Sequence, residues 1–352
     1  MDKDKKKNII DKKLMLRTAA YSFLASLLSV LVIFAILIYG FDIDNNSTRR
    51  IAKLLPFPAA IAGSDIITIK ELDQRLDPVK KFYGAEDSFS GIKVNFSTTD
   101  VKKILKIKEN YLLNKLIEDA IIEREAIARG IKINPEILSQ ETSQELEQYG
   151  EEREVQKSLS SLYGWNVSDF EENIVKSHLY EKRLLENLKD TDDSYKNSRE
   201  KMEKALAELE EGADFKSVAK KYSEGASVEN EGDLGWFKAE EMLPEIASIA
   251  FKLEKGRVSE IIESSLGYHI VKIEDKKNEN GEDKIKLRQV FTKTKTIGDW
   301  LSEQEKNMKV YVPLKDFYWN REEGKVDFSD KSLEKFEEDM GKNYPGNISI
   351  MF

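Results

Sequence analysis

The chain has 352 residues, enough for two or three domains, with 65 Asp and Glu against 56 Lys and Arg and only two His. It has no cysteine, which excludes disulfides, thiol nucleophiles and thiolate metal sites together but says nothing about compartment. Beyond Arg17 the balance is 49 basic to 62 acidic side chains, a net of −13, which argues against nucleic acid or anionic lipid as the main partner. With so few histidines a metal site would need mostly carboxylate ligands, and no spacing suggests one, so no metal or cofactor is expected.

The chain opens with a basic segment, residues 1–17, holding seven Lys or Arg against three Asp. Residues 18–40 then run 23 positions without a charge. As a helix they would span roughly 34 Å, enough for a hydrocarbon core of about 30 Å. The run ends in Leu-Ile-Tyr-Gly-Phe, with no small-residue cleavage site, so a retained anchor is favoured over a signal peptide. The positive flank places the N-terminus in the cytoplasm and the bulk of the chain outside, as a single-pass cell-membrane protein. Residues 41–53 read as a polar tether.

Leu54–Asp65 reads as extended and ends in a turn, Ile66–Ile69 as a short strand, and Lys70–Tyr83 as a helix. Thr99–Arg129 is the strongest helical signal, with Val101, Ile104, Leu105, Leu112, Leu116, Ile117, Ala120 and Ile121 at helical spacing and Gly130 at its end. Asn134-Pro135 restarts a helix with a capping residue before proline. Ser168-Asp-Phe-Glu171 matches a capping box for another helix, running to about Leu188. His178 on that helix reads as a solvated surface residue. Several long helices with little strand between them make residues 54–190 an all-α domain. Leu116–Ala126 with Gly130-Ile-Lys-Ile133, and Tyr163-Gly-Trp-Asn-Val-Ser-Asp-Phe170, resemble the N-terminal chaperone region of SurA-type and PrsA-type folding factors. The plainer alternative is a helical spacer that holds the next domain off the membrane.

An amphipathic helix carrying Tyr195, Met202, Leu206 and Leu209 ends at Gly212. Two strand candidates follow, Gly232–Phe237 and Ile261–Ile273, separated by a helical run. Six ordered blocks occur here: Gly212-Ala-Asp-Phe215; Tyr222-Ser-Glu224; Gly232-Asp-Leu-Gly-Trp-Phe237; Met242 with Pro244; Phe251-x-Leu253-x-x-Gly256-x-x-Ser259; and Gly267-Tyr-His-Ile270. Together they resemble the parvulin family of peptidyl-prolyl isomerases, over less than a third of the chain.

The resemblance implies an apolar slot for a proline ring, with hydrogen-bonding groups around a twisting amide. It puts Met242, Ile246, Leu266 and Phe237 at client-binding positions, and His269, Gln289 and Ser264 at catalytic ones. Three positions depart from the family pattern: Ile246 stands where a Phe is usual, Gly225 where an acid or Cys is usual, and Leu266 where an aromatic residue is common. Glu224 is the carboxylate nearest to Gly225.

Parvulins begin with a strand bearing Arg-His-Ile-Leu, but Lys189–Ser194 ahead of the first helix is no strand. Lys284–Thr292 is a candidate replacement, joined to the preceding strand by the turn-forming Asn278-Glu-Asn-Gly281. A hairpin would lay it antiparallel beside Tyr268–Ile273. The expectation is thus a circularly permuted parvulin domain over 191–310, in which Arg288-Gln-Val-Phe291 replaces Arg-His-Ile-Leu. Alternation alone puts Ile285, Leu287, Gln289 and Phe291 on one face, and His269, Val271 and Ile273 on one face of the neighbouring strand. A buried polar group needs a partner, so Gln289 and His269 should partner each other or line the site. The alternative is that His269 is a satisfied structural histidine.

Thr296–Met308 reads as a helix, Val310–Phe317 as a strand broken by Pro313, and Asn320–Lys325 as a turn. No role is assigned to 311–352. The fold class is α+β: an N-terminal transmembrane helix, an all-α chaperone-like domain, and a parvulin-like domain with a small antiparallel sheet flanked by helices. The functional expectation is a membrane-anchored peptidyl-prolyl isomerase acting on proline-bearing unfolded clients. Its rivals are a catalytically weak or inactive holdase of the same architecture, which binds extended segments, and a tethered adaptor for one partner.

Overall fold

A computed structural model describes residues 19, 21–23, 25–26, 29–40, 49–50, 52–84, 98–225 and 228–343. Residues 1–18, much of the expected tether and five positions of the expected anchor (18, 20, 24, 27 and 28) lie outside the described residues. Residues 29–40 are helical. Among the described residues no helix is long and apolar enough to cross a membrane. The chain divides into two compact units. One holds Met1–Arg124, Lys132–Leu179 and Gln304–Phe352; the other holds Glu125–Ile131 and Tyr180–Glu303.

The first unit begins with a hairpin of β1 (Pro58–Ala62) and β2 (Asp65–Thr68) turning at Gly63. Helix α1 (Ile69–Gly84) follows and buries Ile69, Leu72, Leu76 and Val79 at helical spacing. Helix α2 (Thr99–Ala128) buries Leu113, Ile117 and Ile121 along one stripe. Helix α3 (Pro135–Glu147) starts as its sequence requires: Asn134 Oδ1 accepts from Ile137 N at 2.8 Å, and Pro135 fills the first position.

Three short helical stretches, Glu152–Ser158, Leu159–Tyr163 and Val167–Phe170, then lead into α4 (Lys176–Thr191), with a π-turn at Glu171–Val175. The expected capping box at Ser168–Glu171 is displaced by two residues. Asn166 caps Asp169 N and Asp169 caps Asn166 N, each at 2.9 Å, because extended Asn166 precedes the first helical residue while Ser168 is already inside the helix.

The second unit holds α5 (Asp193–Glu210), α6 (Phe215–Tyr222), β3 (Asp233–Phe237), α7 (Pro244–Ala250), β4 (Ile262–Ser264), β5 (Gly267–Glu279) and β6 (Glu282–Lys293). Its antiparallel sheet has the order β3-β6-β5-β4. Alternation gives the sheet two apolar faces. Tyr268, Ile270 and Val290 pack with Met202, Phe215 and Val218 of α5 and α6. Val271, Ile273, Ile285 and Leu287 pack with Ile246 and Ala250 of α7. The expected single strand Ile261–Ile273 is instead a hairpin, β4 and β5. The chain reverses at Ser264–Gly267, where Gly267 takes φ +147, and a Cβ there would lie 2.1 Å from Thr292 O.

Helix α8 (Ile297–Asn307) begins where Thr296 and Asp299 cap each other. Three strands follow, β7 (Val310–Tyr311), β8 (Phe317–Asn320) and β9 (Lys325–Phe328), and then α9 (Lys331–Asn343). Strand β7 pairs with β1 (Ile61↔Tyr311), so the stretch expected to be all-α carries a three-stranded sheet, β2-β1-β7. Its third strand comes from the other end of the chain, which no local reading of residues 54–190 can supply. Residues 311–343, given no role from sequence, are therefore structural parts of the first unit.

Candidate active site

Strand β6 lies antiparallel along β5, joined to it by Asn280-Gly281 with φ 58 and 84, the left-handed pair of a tight hairpin turn. Arg288 fixes its place. Its guanidinium bonds Glu274 on β5 at 3.2 Å and Asp233 on β3 at 3.1 Å, spanning both neighbours. The next residue, Gln289, therefore points to the opposite face, the one that carries His269. In register Gln289 sits across from Val271, and His269 across from Phe291 and Ile262.

His269 is 3 % exposed, and both ring nitrogens are engaged. Nδ1 meets Gln289 Oε1 at 3.1 Å and Nε2 meets Ser264 Oγ at 2.7 Å. A neutral ring satisfies both contacts: Nδ1–H donates to the amide oxygen, and Nε2 accepts from the Ser264 hydroxyl. Ser264 Oγ also accepts from Leu266 N at 3.1 Å, so the same hydroxyl holds the turn and the imidazole. The Phe291 ring stacks on the imidazole at 4.7 Å between centroids. Burial pushes the His269 pKa below its ordinary 6.5; the Gln289 hydrogen bond and the charge of Glu245 pull the other way.

The other expected site residues fall in two places. Ile246 is buried, and Met242 and Phe237 are half-buried against the same cluster as Val271, Ile273, Ile285 and Leu287, on the His269 face of the sheet. Leu266 is 48 % exposed at the turn, and with Ser264 and Glu245 it lines a cavity of about 560 Å³.

Glu224 does not reach the imidazole. Its carboxylate takes Lys201 Nζ at 2.7 Å and Lys293 N at 2.9 Å, while its own N donates to Phe291 O. It pins the end of β6. Ser223 Oγ accepts from Phe291 N at 3.1 Å in the same way, a role the Tyr-Ser-Glu block did not announce. At Gly225 no side chain takes the place of an acid; the backbone has φ +74. Phe291, placed by alternation on the Gln289 face but given no site role from sequence, lies opposite His269 through the hairpin register.

The family model described as Rotamase, PPIC-type PPIASE domain, matches residues 184–275. The foldase protein PrsA of Geobacillus sp. (strain WCH70) is 32% identical over 174 residues, 44% of this chain and 59% of that protein. The foldase protein PrsA 4 of Bacillus cereus is 30% identical over 196 residues, 52% of this chain and 68% of that protein. The chain belongs to the PrsA foldase family. A solved PrsA from Bacillus anthracis matches at 21% identity over 68% of this chain and all of that one, with a TM-score of 0.20. The chain spans under two thirds of the length of the Geobacillus relative.

This PrsA-family chain carries its PPIC-type match on α4 to β5. The match ends at residue 275, before β6 begins at Glu282. The strand that partners His269 through Gln289 thus lies outside the matched stretch, although it occupies a central position in the sheet.

Proposed function

We propose that the chain is an extracytoplasmic foldase whose second unit catalyses cis/trans isomerisation of X–Pro bonds in unfolded clients, with β6 standing in for the first strand of an ordinary parvulin. The observation that supports this most directly is the His269–Gln289–Ser264 group, buried on the face that also carries Met242 and Ile246. The amide barrier is roughly 18–20 kcal/mol, and no bond is made or broken in crossing it. Twisting removes charge from the carbonyl oxygen, so an apolar slot disfavours the planar form relative to the twisted one. A donor aimed at the amide nitrogen, whose lone pair is freed on twisting, then stabilises the twisted form further.

His269 cannot supply that donor without releasing Gln289 or Ser264. Its part is to hold Gln289, whose Oε1 faces the ring and whose Nε2 hydrogens have no partner among the described residues. The Gln289 amide group is the donor in this reading, and Met242, Ile246 and Phe237 form the floor for the proline ring. The uncharged stretch 18–40 would anchor the chain in the cell membrane with its N-terminus inside, and the helical unit would shield apolar client segments.

Isomerisation of X–Pro peptides by the full-length chain, followed by NMR exchange, is the test. Rates no better than buffer would remove the enzymatic reading. Met242→Ala should lower kcat/KM roughly tenfold, the worth of one partly buried apolar side chain. The departures at Gly225 and Ile246 favour a second reading, in which the same surface only grips extended segments. Suppressed aggregation of an unfolded client without any turnover would select it.

A further inference from the structure

The cavity of about 560 Å³ in the second unit is not the floor formed by Met242 and Ile246. It is walled by Ser264, Leu266 and Glu245, the neighbour of Ile246 on α7, and it shares Ser264 with the buried imidazole. A client whose proline lies against Met242 would therefore place a neighbouring residue in it.

The charges on its walls are unevenly compensated. Lys189 is paired with Glu263, and Lys295 with Glu303, so both lysines are neutralised. Glu245 lines the same cavity, is exposed, and takes part in no ion pair among the described residues. Its charge is felt at His269, where it opposes the effect of burial. The rest of the wall includes Leu185, Tyr195, Leu266 and Ile297. Apolar walls with one uncompensated carboxylate suit a side chain with a long aliphatic stem and a cationic head.

We propose that Glu245 is a specificity residue that selects clients bearing Lys or Arg next to the proline, taking that side chain into the cavity beside Leu266. This rests on the reading of the Met242 face as the proline site. A carboxylate in the first turn of α7 would also favour the helix by itself. That structural role would not change with the client's charge, which is what separates the two.

The test is a methyl-NMR titration of the full-length chain, read at Met242 and Ile246, with three peptides that differ only before proline: Ala-Lys-Pro-Phe, Ala-Leu-Pro-Phe and Ala-Glu-Pro-Phe. Turnover is measured in the same samples. Lys-Pro should bind about three- to tenfold more tightly than Glu-Pro at low salt, the range expected for one solvent-exposed ion pair gained in one case and one repulsion incurred in the other. The gap should narrow as salt rises. Glu245→Gln should level the ranking and Glu245→Lys should invert it. An unranked wild type, a ranking that survives Glu245→Gln, or no binding by any of the three would overturn the proposal. Ranked binding without turnover would instead uphold it and remove only the isomerase activity.

Discussion

Asn114 and Val326 are 212 residues apart, and the side chain of the first closes both backbone hydrogen bonds of the second. Val326 N donates to Asn114 Oδ1 at 2.7 Å, and Asn114 Nδ2 donates to Val326 O at 3.1 Å. The amide acts as a one-residue strand partner for β9. Asn110, one helical turn earlier on α2, adds a second bond to the same carbonyl at 2.9 Å. In this way a helix face receives an unpaired strand edge.

Asn114→Ala should therefore cost the first unit about 1–3 kcal/mol, because Val326 N–H is left buried without a partner. Denaturant melts of variant and wild type would measure it. Faster proteolysis within 317–328 should accompany the loss. An unchanged melt would mean that water takes over the bonds freely.

His269 should titrate below 6.5 when its Hε1 resonance is followed by NMR. Gln289→Leu removes a bond that favours the charged ring, so it should move the pKa lower still. Glu245→Gln should do the same through the lost charge. A rise in either variant would contradict the geometry. Because the folded value is depressed, the linked stability is fully present above the unfolded value near 6.5 and is lost as pH falls through the folded one.

Glu305 on α8 behaves in the opposite sense. Burial, then the charge of Glu118, pushes its pKa from 4.5 up to about 7. The turn at Gly324 covers it closely enough that a Cβ there would stand 3.1 Å from Glu305 Cβ. A raised acid stabilises the fold below 4.5, and that contribution is lost as pH rises through about 7. At a partly exposed, solvent-screened carboxyl the effect is on the order of 1 kcal/mol. Glu305→Gln should flatten the stability profile of the first unit between pH 4.5 and about pH 7, and raise stability above that window. A profile unchanged by the substitution would refute the assignment.

Gly267→Ala should be among the most damaging single changes in the second unit. The added Cβ meets Thr292 O at 2.1 Å, and the φ of +147 is one that side chains rarely adopt. A loss of about 2–4 kcal/mol is expected, together with a changed His269 environment, since Ser264 sits on the same turn. Thermal unfolding and the Hε1 shift would report the two effects separately.

What the amino-acid order determined by itself was local. The period-2 patterns at 269–273 and 285–291, with Asn280-Gly281 between them, were enough to pair β5 with β6 and to set Gln289 on the face of His269. Asn134-Pro135 likewise set the start of α3. Only tertiary structure decided that both imidazole nitrogens are engaged, that Glu224 serves Lys201 and Lys293 rather than the ring, and that residues 310–328 complete the first unit. The reason is separation along the chain. A hairpin turn transmits its register to the strands it joins, whereas Ile61 with Tyr311, or Asn114 with Val326, meet only after packing has brought distant segments together, and no short-range period records that.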